Sequence, residues 1–207
     1  MKENLEKIEN WLRENANKIF ELSLQSPATE NEIKELENTI EKVLPNDFKE
    51  LYLWHNGLND EENFGSLFYG MDFFPIDKII TEYLDKKENY SSQTTSLEKY
   101  DKQIDPSNIY NIDWIKFAFD GGSTSLYLDL APSNDGKYGQ VIFIDEEYET
   151  GILVANSTTE LVLNLREDLG NNLYLLDENA LEDDNHYLVT DPKIDIVNWE
   201  TSEKWKR

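Results

Sequence analysis

The apolar positions change period along the chain, and each change marks an element. Leu5, Ile8, Leu12, Ala16, Ile19 and Leu22 recur at spacings of three and four. That period puts them on one face of a helix, which Pro27 closes. Thr29 and Glu32 form a capping-box pattern, in which each side chain accepts from the other residue's backbone N–H. Ile33, Leu36, Ile40 and Val43 then predict a second amphipathic helix, ending at Leu44-Pro45. Pro45 cannot continue that helix but suits the start of another. Phe48, Leu51, Tyr52 and His55 supply the stripe of this third helix. Gly57 is expected as its C′ residue, because glycine takes positive φ without strain.

Beyond Gly57 the period shortens. Phe64 to Tyr69 and Asp72 to Ile76 read as short extended segments split by Gly70. Asp77 is expected to cap a helix over 78–87, with Ile79, Ile80, Tyr83 and Leu84 inward. Residues 88–111 are polar and weakly periodic, and read as an insertion or long mobile loop. Four strands are predicted next, over 114–119, 125–130, 140–145 and 151–156. Asp120-Gly121-Gly122-Ser123 between the first two is a hairpin turn signal. Ser157 and Glu160 repeat the capping-box pattern before Leu161, Leu165 and Leu169, and that helix stops at Gly170. From Asn171 the chain is acidic and irregular until Ile194 to Trp199, which reads as a short strand.

Helices, then an antiparallel meander, then a helix predict an α+β fold. Its centre is a mostly antiparallel sheet, with the N-terminal helices and the closing helix packed on it. No βαβ rhythm supports a parallel dinucleotide-binding sheet. The organisation is a helical extension over 1–28, a domain over 29–170 with its insertion at 88–111, and an acidic extension over 171–207.

Composition changes this picture in one respect. The 207 residues carry 43 Asp and Glu against 19 Lys and Arg, a net charge of −24. Such a surface does not neutralise phosphates or dock on anionic lipid, so neither nucleic acid nor membrane is expected as a partner. With 39% hydrophobic and 12% aromatic residues the chain still has the material of a core. No apolar run approaches the ~18 residues of a membrane span, and the polar N-terminus has no secretory h-region. The expected location is cytoplasmic.

Candidate chemistry is sparse. There is no cysteine, which excludes thiolate nucleophiles and Cys-based metal sites. The two histidines, His55 and His186, do not form a zinc-binding pair; His55 reads as packed or solvated at a helix end, and His186 as solvated. No nucleophile elbow or phosphate-binding glycine loop is present. Counted as a calcium loop from Asp129, the third position is Ala131 and the twelfth Gln140, so the pattern fails. Among 43 acids no catalytic pair can be singled out by spacing. No metal, cofactor or enzymatic activity is expected.

The ordered motifs resemble the SUKH superfamily, which includes yeast regulators of cell-wall assembly and many bacterial toxin-immunity proteins. The resemblance rests on Leu44-Pro45-Asn46-Asp47-Phe48-Lys49-Glu50-Leu51-Tyr52 followed by Asn56-Gly57. It continues through Leu67-Phe68, Phe74-Pro75-Ile76, Trp114-Ile115 and Asp120-Gly121-Gly122. It closes on Leu126 to Leu130 with Asp129, Gly139-Gln140-Val141-Ile142 and Ala155-Asn156-Ser157. It implies a SUKH-like α+β domain and a binding role rather than catalysis. Its motif residues read as structural. The function it implies is a bacterial immunity protein that neutralises a cognate, basic, nuclease-type toxin by binding. The alternative is a cytosolic regulatory or scaffold module without a toxin.

The charge has a location. From Tyr138 to Pro192 thirteen acids face a single basic residue, Arg166. The expected partner-facing surface is therefore Asp145, Glu146, Glu147 and Glu149, with Asp177, Glu178, Glu182, Asp183 and Asp184. A solvated face that keeps the protein soluble is the competing reading for each.

Overall fold

The computed structural model describes residues 1–59 and 65–207. It opens with helices α1 (Lys2–Asn15), α2 (Glu30–Ile40) and α3 (Asn46–Trp54), then strand β1 (Asp72–Phe73) and helix α4 (Ile76–Asn89). Strands β2 (Lys99–Tyr100), β3 (Trp114–Phe119), β4 (Thr124–Asp129), β5 (Gln140–Asp145) and β6 (Thr150–Ala155) come next. Helix α5 (Thr158–Gly170) leads to a terminal unit of β7 (Tyr174–Leu176), α6 (Glu178–Glu182) and β8 (Leu188–Thr190). One sheet has the order β1-β3-β4-β5-β6-β2. Its pairs are antiparallel except β2 with β6, which is parallel. The fold is α+β, a mixed sheet with helices packed on it.

Both faces of the sheet are covered, which is why β4 and β5 are buried at every position. Ile115, Phe117, Leu126, Leu128, Val141, Phe143 and Ile152 join the helices in one core. Phe117 meets Phe48 and Phe68 edge to face, at centroid distances of 5.6 and 6.1 Å. Trp114, Tyr127, Ile142 and Ile144 point the other way into a second cluster.

That second cluster corrects the reading of 88–111 as a long mobile loop. Leu97, Ile104 and Ile109 are buried in it, and β2 extends the sheet edge. A Cβ on Gly151 would lie 2.8 Å from Leu97, so glycine lets this cover approach the sheet.

Several boundaries also move. The first helix stops at Ala16 (φ −144°), and the chain passes through a π-type turn over Ile19–Ser23, which turns Leu22 to solvent. Helix α2 ends at a left-handed Glu41, leaving Val43 72% exposed. Pro75, not Asp77, precedes α4, and Leu84 is exposed. Gly57 is not the C′ residue of α3, whose cap His55 is followed by Asn56. Its positive φ instead serves a close approach, since a Cβ there would sit 2.3 Å from the Pro75 nitrogen. Of the extended segment expected over 64–69, Phe64 lies outside the described residues, and Phe68–Gly70 forms a tight turn rather than a strand.

The acidic tail is less irregular than its composition suggests. β7 pairs with β8, and Ile194 to Trp199 runs as turns rather than as a strand. Ile194, Ile196, Trp199 and Trp205 are buried in the main core.

Candidate partner-binding surfaces

The motif residues brace the fold. Leu44 and Phe48 are buried, and Pro45 packs on Gly139, where a Cβ would lie 2.5 Å from the proline ring. Asn56 Oδ1 accepts from Ile76 N–H at 3.0 Å, while its Nδ2 donates to Glu32 at 3.4 Å, joining α2 to the start of α4. Asp120 Oδ1 closes the β3–β4 turn by accepting from Gly122 N–H (2.8 Å) and Thr124 N–H (3.0 Å), with Gly121 at φ +85°. Gly122 itself is exposed. Trp114 is buried against the second face.

Asp129 and Gln140 form a buried clasp. Asp129 accepts from Ala131 N–H (2.9 Å) and from Gln140 Nε2 (2.8 Å), which also donates to the Gln103 carbonyl at 2.9 Å. Burial pushes the Asp129 carboxyl up to about 6, against the bonds from Ala131 and Gln140 that favour its ionised form.

The acidic groups separate into structural and projecting members. Asp145 is only 3% exposed, so it is not partner-facing as expected. One of its oxygens accepts from Glu147 and Tyr148 N–H (3.0 and 3.1 Å), the other from Trp199 Nε1 (2.9 Å). A carboxylate that closes its own turn and pairs with a buried indole is held by the fold. Glu149 is half-buried at φ 45°, its carbonyl accepting from Glu98 N–H at 2.8 Å. Glu146 and Glu147 are exposed; Tyr127 donates its hydroxyl proton to Glu146 at 3.3 Å.

In the tail, Asp177 caps α6 by accepting from Asn179 and Ala180 N–H (2.8 and 2.9 Å). Glu178, Glu182 and Asp183 project into solvent. Asp184 pairs with Lys18, whose ammonium holds its carboxyl below the ordinary value. His186, expected as solvated, accepts from Lys18 N–H through Nδ1 at 3.3 Å and is half-buried. No hydrogen bond or ion pair among the described residues joins the 145–149 group to the 177–184 group.

A cleft of about 220 Å³ that no sequence motif marks lies beside α4, lined by Lys86, Tyr90, Tyr110, Trp114, Lys116 and Glu146 among others. Lys86 donates to the carbonyls of Asn111 (3.0 Å) and Trp114 (3.1 Å), and its ammonium lies 4.8 Å from the Tyr127 ring centre. Burial first, and the nearby Lys116 charge second, hold it down to about 7. A perturbed lysine in a cleft is the type of signal that marks active sites. Here two of its donors hold backbone carbonyls, so it works as a strut between α4 and the turn before β3. Sequence offered no signal, since a lysine in a last helical turn reads as an ordinary complement to the helix dipole. No three His, Asp or Glu side chains among the described residues are grouped to hold a metal ion. No described helix is long and apolar enough to cross a membrane.

The relatives are consistent in name. The chain is 26% identical to the "Cell wall assembly regulator SMI1" of Saccharomyces cerevisiae, over 83% of its own length and 41% of that protein. It is 24% identical to the "Glucan synthesis regulatory protein" of Neurospora crassa, over 98% of the chain and 45% of that protein. It is 26% identical to the "Cell wall biosynthesis/cell cycle regulator smi1" of Schizosaccharomyces pombe, over 86% of the chain and 38% of that protein. The chain thus spans about two fifths of the length of these relatives. A family model covers residues 27–164, from the segment before α2 to the middle of α5. On that match, and on the motif contacts described above, the chain belongs to the SMI1 / KNR4 family (SUKH-1).

Proposed function

We propose that the chain is a non-enzymatic regulatory binding module of the cell-wall-regulator type, acting by engaging a basic protein partner. The observation that carries this reading is the alignment of most of the chain with three fungal proteins named as regulators of cell-wall assembly, glucan synthesis or cell-wall biosynthesis. Their names favour the regulatory reading over toxin neutralisation, for which nothing in the relatives speaks.

The geometry adds a physical basis for binding. Asp145 and Asp177 close their turns, and so fix the backbone from which Glu146, Glu147, Glu178 and Glu182 project. Acids presented this way steer a cationic partner and set its association rate more than its final affinity.

The test is a chimera in which this chain replaces the matching segment of the S. cerevisiae regulator. Growth of a strain lacking that regulator is then measured under cell-wall stress. Rescue is expected, with weaker rescue when Glu146, Glu147, Glu178 and Glu182 are changed to Lys. A chimera that accumulates normally and fails to rescue would sink the regulatory reading. Equal rescue by the charge-reversed form would remove the basic partner from it.

A further inference from the structure

Exposed acids steer a partner, but affinity comes from buried apolar anchors. The structure has a place for one. Between α1 and α3 runs a groove of about 440 Å³, lined by Leu5, Leu53 and Trp54 together with Glu6, Glu9, Glu50 and Lys2. Its volume lies within the roughly 300–1,000 Å³ of ordinary binding pockets. Leu53 is 39% exposed, whereas its neighbours Leu51 and Tyr52 are buried on the opposite face of α3. Trp54 is half-buried and donates Nε1–H to Glu9 at 3.3 Å, which fixes the indole as one wall. Among the described residues the Glu50 side chain makes no hydrogen bond or ion pair, and the Glu6 side chain has only a 3.9 Å contact with the exposed Lys2. The groove therefore combines an apolar floor with two carboxylates, Glu6 and Glu50, that lack firm partners, while Glu9 is held by Arg13 and Trp54.

We propose that this groove anchors an amphipathic, basic helix of a partner protein. Its apolar side chains, at i and i+3 or i+4, would enter between Leu5, Leu53 and Trp54, with its Lys or Arg residues meeting Glu6 and Glu50. Charge selects this occupant. An anionic membrane is repelled by the same carboxylates. A second copy would bring a surface of net charge −24 against another. The inference rests on the proposed binding role and adds its location. It also places the anchor partly on α1, which precedes the residues matched by the family model.

The probe is a synthetic helical peptide of Leu and Lys with Leu at i, i+3, i+4 and i+7, titrated into the ¹⁵N-labelled chain. Backbone shifts should centre on Leu5, Glu6, Glu50, Leu53 and Trp54. Leu53→Asp should weaken binding at least about tenfold, as loss of a central anchor does. Glu6→Lys with Glu50→Lys, on exposed helix surface that keeps the fold, should weaken it several-fold and flatten its salt dependence. Glu88→Lys with Glu98→Lys, both exposed and placed beside the cover of the opposite sheet face, should leave it within about twofold, the range of a charge outside the contact. Equal binding of a peptide with the same residues scrambled would overturn the proposal. So would shifts centred on Glu147 or α6, or a dimer of the free chain that Leu53→Asp dissociates. If the chimera rescues and the peptide does not dock, the groove is wrong and the regulatory reading stands.

Discussion

The two faces of the central sheet are covered by different means. On one, α5 packs on β5 and β6, α1 and α3 pack on α5, and the core runs without interruption from Leu5 to Trp205. On the other, residues 97–110 supply Leu97, Ile104 and Ile109 to a separate cluster with Trp114, Tyr127, Ile142 and Ile144. A helix satisfies its own backbone, so it can be laid on a sheet as a unit. An irregular cover must pair each buried N–H and C=O one at a time. Here Leu97 N–H donates to Pro106 C=O, Ile109 N–H to Thr95 C=O, and Leu153 N–H to Asp101. Gln103 C=O accepts from Ser133 N–H and from the Gln140 side chain. The loop-covered face thus depends on a few polar clasps where the helical face depends on packing.

Phe117→Ala should show the largest effect. It removes a fully buried ring that touches Phe48 and Phe68, at a cost of about 3–5 kcal/mol. Urea unfolding should report the whole loss as a lower midpoint, since this core includes α1, α5 and the tail.

Ile104→Ala, on the other face, should cost about 2–4 kcal/mol. Its distinguishing mark is local. Amide exchange should rise over 97–110 while α5 stays protected. Equal loss of protection on both faces would mean that the two clusters open as one unit, and the contrast between them would fail.

Asp129→Asn tests a clasp directly. Gln140 Nε2 donates to Asp129 and to Gln103, and its Oε1 accepts from Lys137 N–H, so it cannot flip to suit an amide without losing partners. The expected cost is about 1–3 kcal/mol. The carboxyl's rise from 3.8 to about 6 fixes the sign of its pH dependence. Between those values the folded state binds the extra proton. The contribution is therefore fully present below pH 3.8 and lost as pH rises through about 6. Urea midpoints at pH 4 and 6.5 should fall more with rising pH in the parent than in the variant.

The contrast between the faces also explains what the sequence could disclose. Leu126 and Leu128 alternate cleanly because they lie on a regular strand, and Thr29 with Glu32 makes both halves of its capping box. Periodicity has nothing to act on in 97–110, where three aliphatic residues at uneven spacing stand among Ser, Asp and Lys. Trp199 and Trp205 vanish into an acidic tail for the same reason. At the candidate surface, Asp145 cannot be told from Glu146 or Glu147 until Trp199, 54 positions away, donates to it. One signal was available. Leu53 is an apolar residue off the stripe of Phe48, Leu51, Tyr52 and His55, and it marks the groove.

The smallest effect is expected where the two faces meet, at Lys86. Its ammonium holds the Asn111 and Trp114 carbonyls and lies over Tyr127, a residue of the loop-covered cluster, while α4 itself packs on the helical side. Lys116 faces it with like charge; Glu146, Glu82 and Asp113 face it with opposite charge. Lys86→Met keeps the length of the side chain, removes a buried charge and leaves two carbonyls without that donor. These terms oppose one another, so the stability change near neutral pH should stay within about 1 kcal/mol. The pH dependence is more telling. With the group held down to about 7 from an ordinary 10.5, the unfolded chain binds the extra proton between those values. Stability should then rise with pH across that window and be lost as pH falls towards 7. The rest of the acidic surface titrates alike in both proteins, so the difference between them isolates Lys86. Urea midpoints at pH 6, 7, 8 and 9 should climb in the parent above pH 7 and less in Lys86→Met. Parallel curves would mean that the lysine stays charged throughout, and that its carbonyls and Glu146 make the seam between the two faces ionic.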